Sequence, residues 1–142
     1  MAAGPANVEP RMRLSDPGTL NVALTFDACP GGFDRRVADA LVARGIAATI
    51  FVTTVWMRRN PEGLAFLLAH RDLFAIENHG AKHVAPVFGS VPIFGQTPAG
   101  TLDGVRREVD DGAAAIAQAT GSPLKWYRAA TGFYAPEALA DL

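Results

Sequence analysis

His79-Gly80-Ala81-Lys82-His83 spaces two imidazoles four residues apart, so a helical turn would present both to a single divalent ion. Two unrelated histidines in a surface loop would share that spacing, and the pair needs corroboration. Asp27 supplies some. It ends a mostly apolar run, Asn21-Val22-Ala23-Leu24-Thr25-Phe26-Asp27, and a carboxylate beside Leu24 and Phe26 is costly unless a metal or its bound water takes up the charge. The plainer reading of Asp27 is a helix N-cap or a loop carboxylate. Arg128, after Trp126 and Tyr127, would by itself be an exposed ion-pairing residue; its position gives it meaning. Cys29 lies near Asp27 and the histidines in this scheme and is readable as a nucleophile, although a lone thiol is more often a small buried hydrophobe. His70 falls at a predicted helix end, where a cationic side chain suits the dipole without any catalytic role. Because Cys29 is the only cysteine, neither an internal disulfide nor a cysteine-based zinc cluster is expected, and a metal should use histidine and carboxylate.

The elements that must position these residues alternate between strand and helix. Asn21 to Asp27 reads as a buried strand followed by the loop Pro30-Gly31-Gly32, and Phe33 to Arg44 reads as a helix stopped by Gly45. The β-branched run Ile46 to Val52 suits a parallel strand covered on both faces. Asn60-Pro61 starts a second helix, with Asn60 as its cap and Leu64, Leu67 and Leu68 as its buried stripe. Leu73 to Ile76 is a third strand delivering Glu77-Asn78-His79. The Gly- and Pro-rich stretch up to Gly100 reads as a long surface loop. Leu102, Val105, Val109 and Ile116 then keep helical spacing from Thr101 to Thr120, and Gly121-Ser122-Pro123 stops that helix before a fourth strand, Leu124 to Arg128. Such alternation implies parallel pairing through right-handed crossovers, with a site at the strand C-terminal ends. Asp27, His79, His83 and Arg128 all fall there.

Length and composition set outer bounds. A chain of 142 residues fits one domain and is short for a complete eight-stranded barrel. An apolar fraction of 49%, a charged fraction of 19% and a net charge of -1 describe an ordinary globular protein and argue against an electrostatic nucleic-acid binder. Residues 1–20 form a polar segment without the apolar run of a signal peptide or membrane helix, which leaves localisation open.

The segments Thr25-Phe26-Asp27, Asn78-His79-Gly80-Ala81-Lys82-His83 and Tyr127-Arg128-Ala129-Ala130-Thr131-Gly132, the last led in by Thr120-Gly121-Ser122-Pro123, together resemble the motifs of NodB-homology polysaccharide deacetylases. Those motifs read Thr-Phe-Asp-Asp-Gly, Asn-His-Thr/Ser-x-x-His and Arg-Pro-Pro-Tyr-Gly, and the resemblance spans about Asn21 to Gly132. It implies a distorted (β/α) barrel, here partial with about four βα units. It also implies a metal-dependent carbohydrate esterase acting on non-peptide carbon–nitrogen bonds or on O-acetyl esters, and an acetylated glycan as substrate. The ion would be zinc, with cobalt or manganese as alternatives, and the setting extracytoplasmic or cell envelope. By position, Asp27 matches the general base, His79 and His83 the metal-binding histidines, and Arg128 the arginine that orients the base. Thr131 falls where a backbone N–H stabilises the oxyanion.

Several positions depart from that pattern. The family's second aspartate, a metal ligand, falls on Ala28, which has no donor atom, and the following glycine falls on Cys29. The third ligand could then be Asp27 itself or a nearby carboxylate such as Asp34, or the site could be weak or empty. Gly80 replaces a hydroxyl residue, and Ala129-Ala130-Thr131 replaces Pro-Pro-Tyr. The family's later Asp/Trp and Leu-x-His segments, the second carrying the acid histidine, have no counterpart before Leu142. The domain at 21–142 is therefore expected to be truncated at its C-terminus and to show little activity alone. A degenerate, non-catalytic carbohydrate-binding domain is the alternative reading.

Overall fold

Ala48–Val52 forms β2, the middle strand of a parallel three-stranded sheet in the order β1-β2-β3, with Thr25–Ala28 as β1 and Phe74–Asn78 as β3. The computed structural model describes residues 6–11, 18, 22–29 and 31–142. Burial on both faces explains why β2 is apolar except at half-buried Thr49: Ile50, Phe51 and Val52 are all buried, Val52 completely. The register pairs Ala28 with Val52 and Val52 with Asn78. The ladder runs on past that row, since Thr53 N–H donates to Ala28 O and His79 N–H to Val52 O. Cys29, Thr53 and His79 thus occupy one row just beyond the three strand ends.

Arg35–Arg44 is α1, capped by the Asp34 carboxylate at its start and by Gly45 at φ 61° at its end. Thr54–Arg59 is α2, a helix the sequence reading missed because it begins only two residues after β2; Thr53 Oγ1 accepts the Trp56 N–H to cap it. Pro61–Ala69 is α3. Asn60 precedes it as expected, but makes no side-chain cap. Its Oδ1 instead accepts the Phe33 N–H, and its Nδ2 donates to Gly31 O and Trp56 O, tying the loop after β1 to the α2–α3 junction. Leu41, Ile50, Trp56, Met57, Leu67, Phe74 and Ile116 make the main core.

Two expectations fail in the second half. The stretch before Gly100 is not a surface loop throughout: Ala85–Phe88 (β4) and Pro98–Gly100 (β5) pair in parallel, and Ala85 and Val87 are buried. Gly and Pro obscured these strands by interrupting the apolar run. Leu124 to Arg128 is not a strand either; only a parallel bridge joins Tyr127 to Asn78. The physical reason is Glu77, whose carboxylate accepts the Lys125 and Trp126 N–H groups at 2.9 Å, standing in for strand partners. Leu102–Thr120 (α4) keeps the predicted bounds, capped by Thr101 and Gly121. Pro136–Asp141 (α5), unforeseen, packs Ala138 with Ala135 against Val105 of α4. No helix among the described residues is long and apolar enough to cross a membrane.

Candidate metal and catalytic site

His79 leaves β3 with its side chain only 2% exposed. Its Nδ1 lies 2.7 Å from the Arg128 carbonyl oxygen, and because a carbonyl only accepts, Nδ1 carries the proton and Nε2 presents a lone pair. Nε2 faces Cys29 Sγ at 3.5 Å. Burial pushes the His79 pKa below that of a free imidazole, which keeps the ring neutral and able to act as a donor.

His83 reaches the same point by another route, and not by the helical turn its spacing suggested. Residues Gly80 to Val84 wrap around the buried carboxylate of Glu108 on α4, which accepts the N–H groups of Lys82 (2.9 and 3.0 Å), His83 (2.7 Å) and Val84 (3.2 Å). The backbone puts His83 at φ 67° and Gly80 at φ 94°. Gly80 is required for a second reason: a Cβ there would run into the Glu108 carboxylate. His83 Nδ1 donates to Gln96 Oε1 at 2.9 Å, leaving its Nε2 free as well. The two rings stand edge to face with centroids 4.9 Å apart.

Asp27, on β1, forms a 2.9 Å ion pair with Arg128, whose guanidinium also donates to Thr25 Oγ1 at 3.1 Å and lies over the Phe51 ring. Both partners are more than a third exposed, so the pair orients the carboxylate more than it stabilises the fold. Arg128 therefore serves the site twice: its carbonyl holds His79 and its side chain holds Asp27. Thr131 lies in the turn just after it, with Oγ1 accepting the Phe133 N–H. Asp34 is engaged elsewhere. It caps α1 and pairs with Arg36, whose hydrogen bond draws its pKa down to about 2. His70 interacts with its own helix, its Nδ1 2.9 Å from Phe66 O.

The donor set that does converge is Cys29 Sγ with one atom each of His79 and His83, all within 4.8 Å of one another. Among the described residues this grouping offers a sulfur, where the sequence led to an expectation of histidine and carboxylate. Ala28 is the last residue of β1 and opposes Val52; the next residue, Cys29, brings a donor atom to the imidazoles. Two imidazoles whose Nδ1 atoms are each bound to a carbonyl oxygen, joined by a sulfur, fit a borderline divalent ion by donor type and spacing. Glu108 and Gln96 were not anticipated. Glu108 carried a legible signal, a charge within the buried stripe Val105, Glu108, Gly112 and Ile116 of an amphipathic helix. Gln96 carried none.

A family model for polysaccharide deacetylases matches residues 15–142, and the chain belongs to that family. Among solved structures it is similar to a deacetylase determined with substrate (26% identity, TM-score 0.62, 84% of this chain and 54% of that one). It is also similar to a family 4 acetyl xylan esterase from Clostridium thermocellum in complex with a cobalt ion (24%, TM-score 0.62, 84% and 53%). A third is a family 4 carbohydrate esterase pseudoenzyme from Bacillus anthracis (21%, TM-score 0.61, 83% and 38%). The chain thus spans about half the length of these structures or less. Comparison with curated protein sequences finds no match.

Proposed function

We propose that the protein is a metal-dependent hydrolase that removes acetyl groups from an acetylated polysaccharide, with its two parallel sheets as consecutive parts of a distorted (β/α) barrel. The observation that carries this reading is the Asp27–Arg128 pair standing beside the donor cluster at the C-terminal edge of one parallel sheet. An ion held by His79 and His83 would supply an activated water and a Lewis acid for the acyl oxygen. Asp27 takes the proton from the attacking water, and Arg128 keeps that carboxylate aimed. The Thr131 backbone N–H, in the turn that follows, is the donor for the developing oxyanion. The His79 and His83 Nδ1–H bonds to Arg128 O and Gln96 Oε1 hold the two rings in the tautomer that donates through Nε2.

The test is acetate release from N-acetylglucosamine oligomers and acetylated xylan, with added zinc or cobalt, by this chain carried within a domain of the length of its relatives. Asp27→Asn should lower the rate by about 10²–10⁴-fold, the usual contribution of a positioned base, without changing the melting temperature. Metal-loaded protein that binds these glycans but releases no acetate would support the non-catalytic alternative, and a rate indifferent to Asp27→Asn would remove Asp27 from its role.

A further inference from the structure

We propose that Cys29 is the third protein ligand of the metal, its thiolate taking the place of the carboxylate that Ala28 cannot provide, so that the site is a His₂Cys centre. The assignment deepens the metal reading above and rests on it. Register makes it possible: Cys29 and His79 lie in one row, immediately beyond the paired residues Ala28, Val52 and Asn78, so both side chains emerge at the same level of the sheet. Distance supports it. A tetrahedral ion bound at about 2.3 Å from sulfur and about 2.0 Å from nitrogen holds those two donor atoms about 3.5 Å apart, and Cys29 Sγ lies 3.5 Å from His79 Nε2. The third donor, on His83, closes a triangle with no edge above 4.8 Å.

The competing carboxylates are otherwise occupied. Asp34 holds the first turn of α1 and Arg36, and Asp27 is held by Arg128. Neither belongs to the donor group among the described residues. A dyad with Cys29 as nucleophile and His79 as base would explain one imidazole and leave His83 without purpose. A bound dication favours the thiolate as its ligand. On binding, the S–H bond breaks, a sulfur–metal bond forms and the proton leaves to solvent, with no change of oxidation state. A thiolate with two imidazoles selects zinc or cobalt over manganese, which prefers oxygen donors.

The experiment titrates metal-free full chain with Co²⁺ and records its near-ultraviolet and visible absorption, alongside Cys29→Ser, His83→Ala and the double variant Ala28→Asp/Cys29→Gly. The wild type should show a sulfur-to-cobalt charge-transfer band and the intense visible bands of four-coordinate cobalt. Cys29→Ser should lose the charge-transfer band and bind on the order of a hundredfold more weakly, since even an outer partner of a ligand is worth 10–100-fold. The double variant should bind cobalt without the charge-transfer band, which keeps the inference testable if Cys29→Ser misfolds. Cobalt bound by wild type with no sulfur band, and equally well by Cys29→Ser, would overturn the Cys29 assignment and leave the two-histidine reading standing. No cobalt bound by a folded wild type would overturn both.

Discussion

His79 and His83 arrive at one point from opposite kinds of architecture, and the contrast shows where this site is vulnerable. His79 extends a strand. Its backbone is held by the ladder through Val52 O and its ring by the Arg128 carbonyl, so both partners are main-chain oxygens. His83 sits in a loop with positive φ whose shape is imposed by the Glu108 carboxylate and whose ring is aimed by the Gln96 amide. Main-chain partners survive most substitutions; side-chain partners do not. One half of the metal site is therefore built into the sheet, and the other depends on residues far from it in sequence.

The sharpest way to break this contrast is Glu108→Ala. It leaves the N–H groups of Lys82, His83 and Val84 without their acceptor, each worth about 1–3 kcal/mol when buried, and is expected to cost roughly 4 kcal/mol in a denaturant melt. Hydrogen exchange should show protection lost at residues 80–84 and kept in β1, β2 and β3. Loss spread evenly over both would mean the two halves are not separate. Gly80→Ala strikes the same loop from the other side, forcing a Cβ onto a φ of 94° and against that carboxylate; about 2 kcal/mol is expected by the same melt. Gln96→Ala should leave the fold intact and weaken cobalt binding about 10–100-fold by freeing the His83 ring, whereas His70→Ala should leave metal binding unchanged.

A small effect on stability belongs to Asp34, in the loop after β1 and outside the cluster. Its pKa is lowered to about 2 from 3.8 because the Arg36 hydrogen bond favours the charged form. The stabilisation is present above the unfolded value and fades as pH falls through about 2. Asp34→Asn, which keeps a capping oxygen, should melt slightly below wild type at neutral pH, with the gap closing between pH 3.8 and about 2. Metal affinity should not move; if it does, Asp34 has a part in the site.

Local sequence carried a good deal. The helix Leu102–Thr120 was readable because its cap residues Thr101 and Gly121 and its buried stripe act within single turns. The strand Ala48–Val52 was readable because a doubly covered strand admits little but apolar residues. The nearness of Asp27 and His79 followed from strand ends sharing one edge, whereas Arg128 and His83 arrive without the strand and the helical turn expected for them. What escaped had non-local causes: Glu77 taking the backbone of Lys125 and Trp126 out of a strand, β4 and β5 pairing across an eleven-residue span from Phe88 to Pro98, and the wrap around Glu108.

By itself, then, the sequence determined which residue types stand at the ends of the strands, because periodicity and caps are short-range properties of the chain. It could not decide which donors meet. Ala28 and Cys29 are adjacent letters, and only the parallel register of three strands puts the sulfur level with His79, while a buried carboxylate on α4 folds His83 back to join them. Those are distances between residues about 25 to 50 positions apart along the chain, set by packing and hydrogen bonds that no local pattern records.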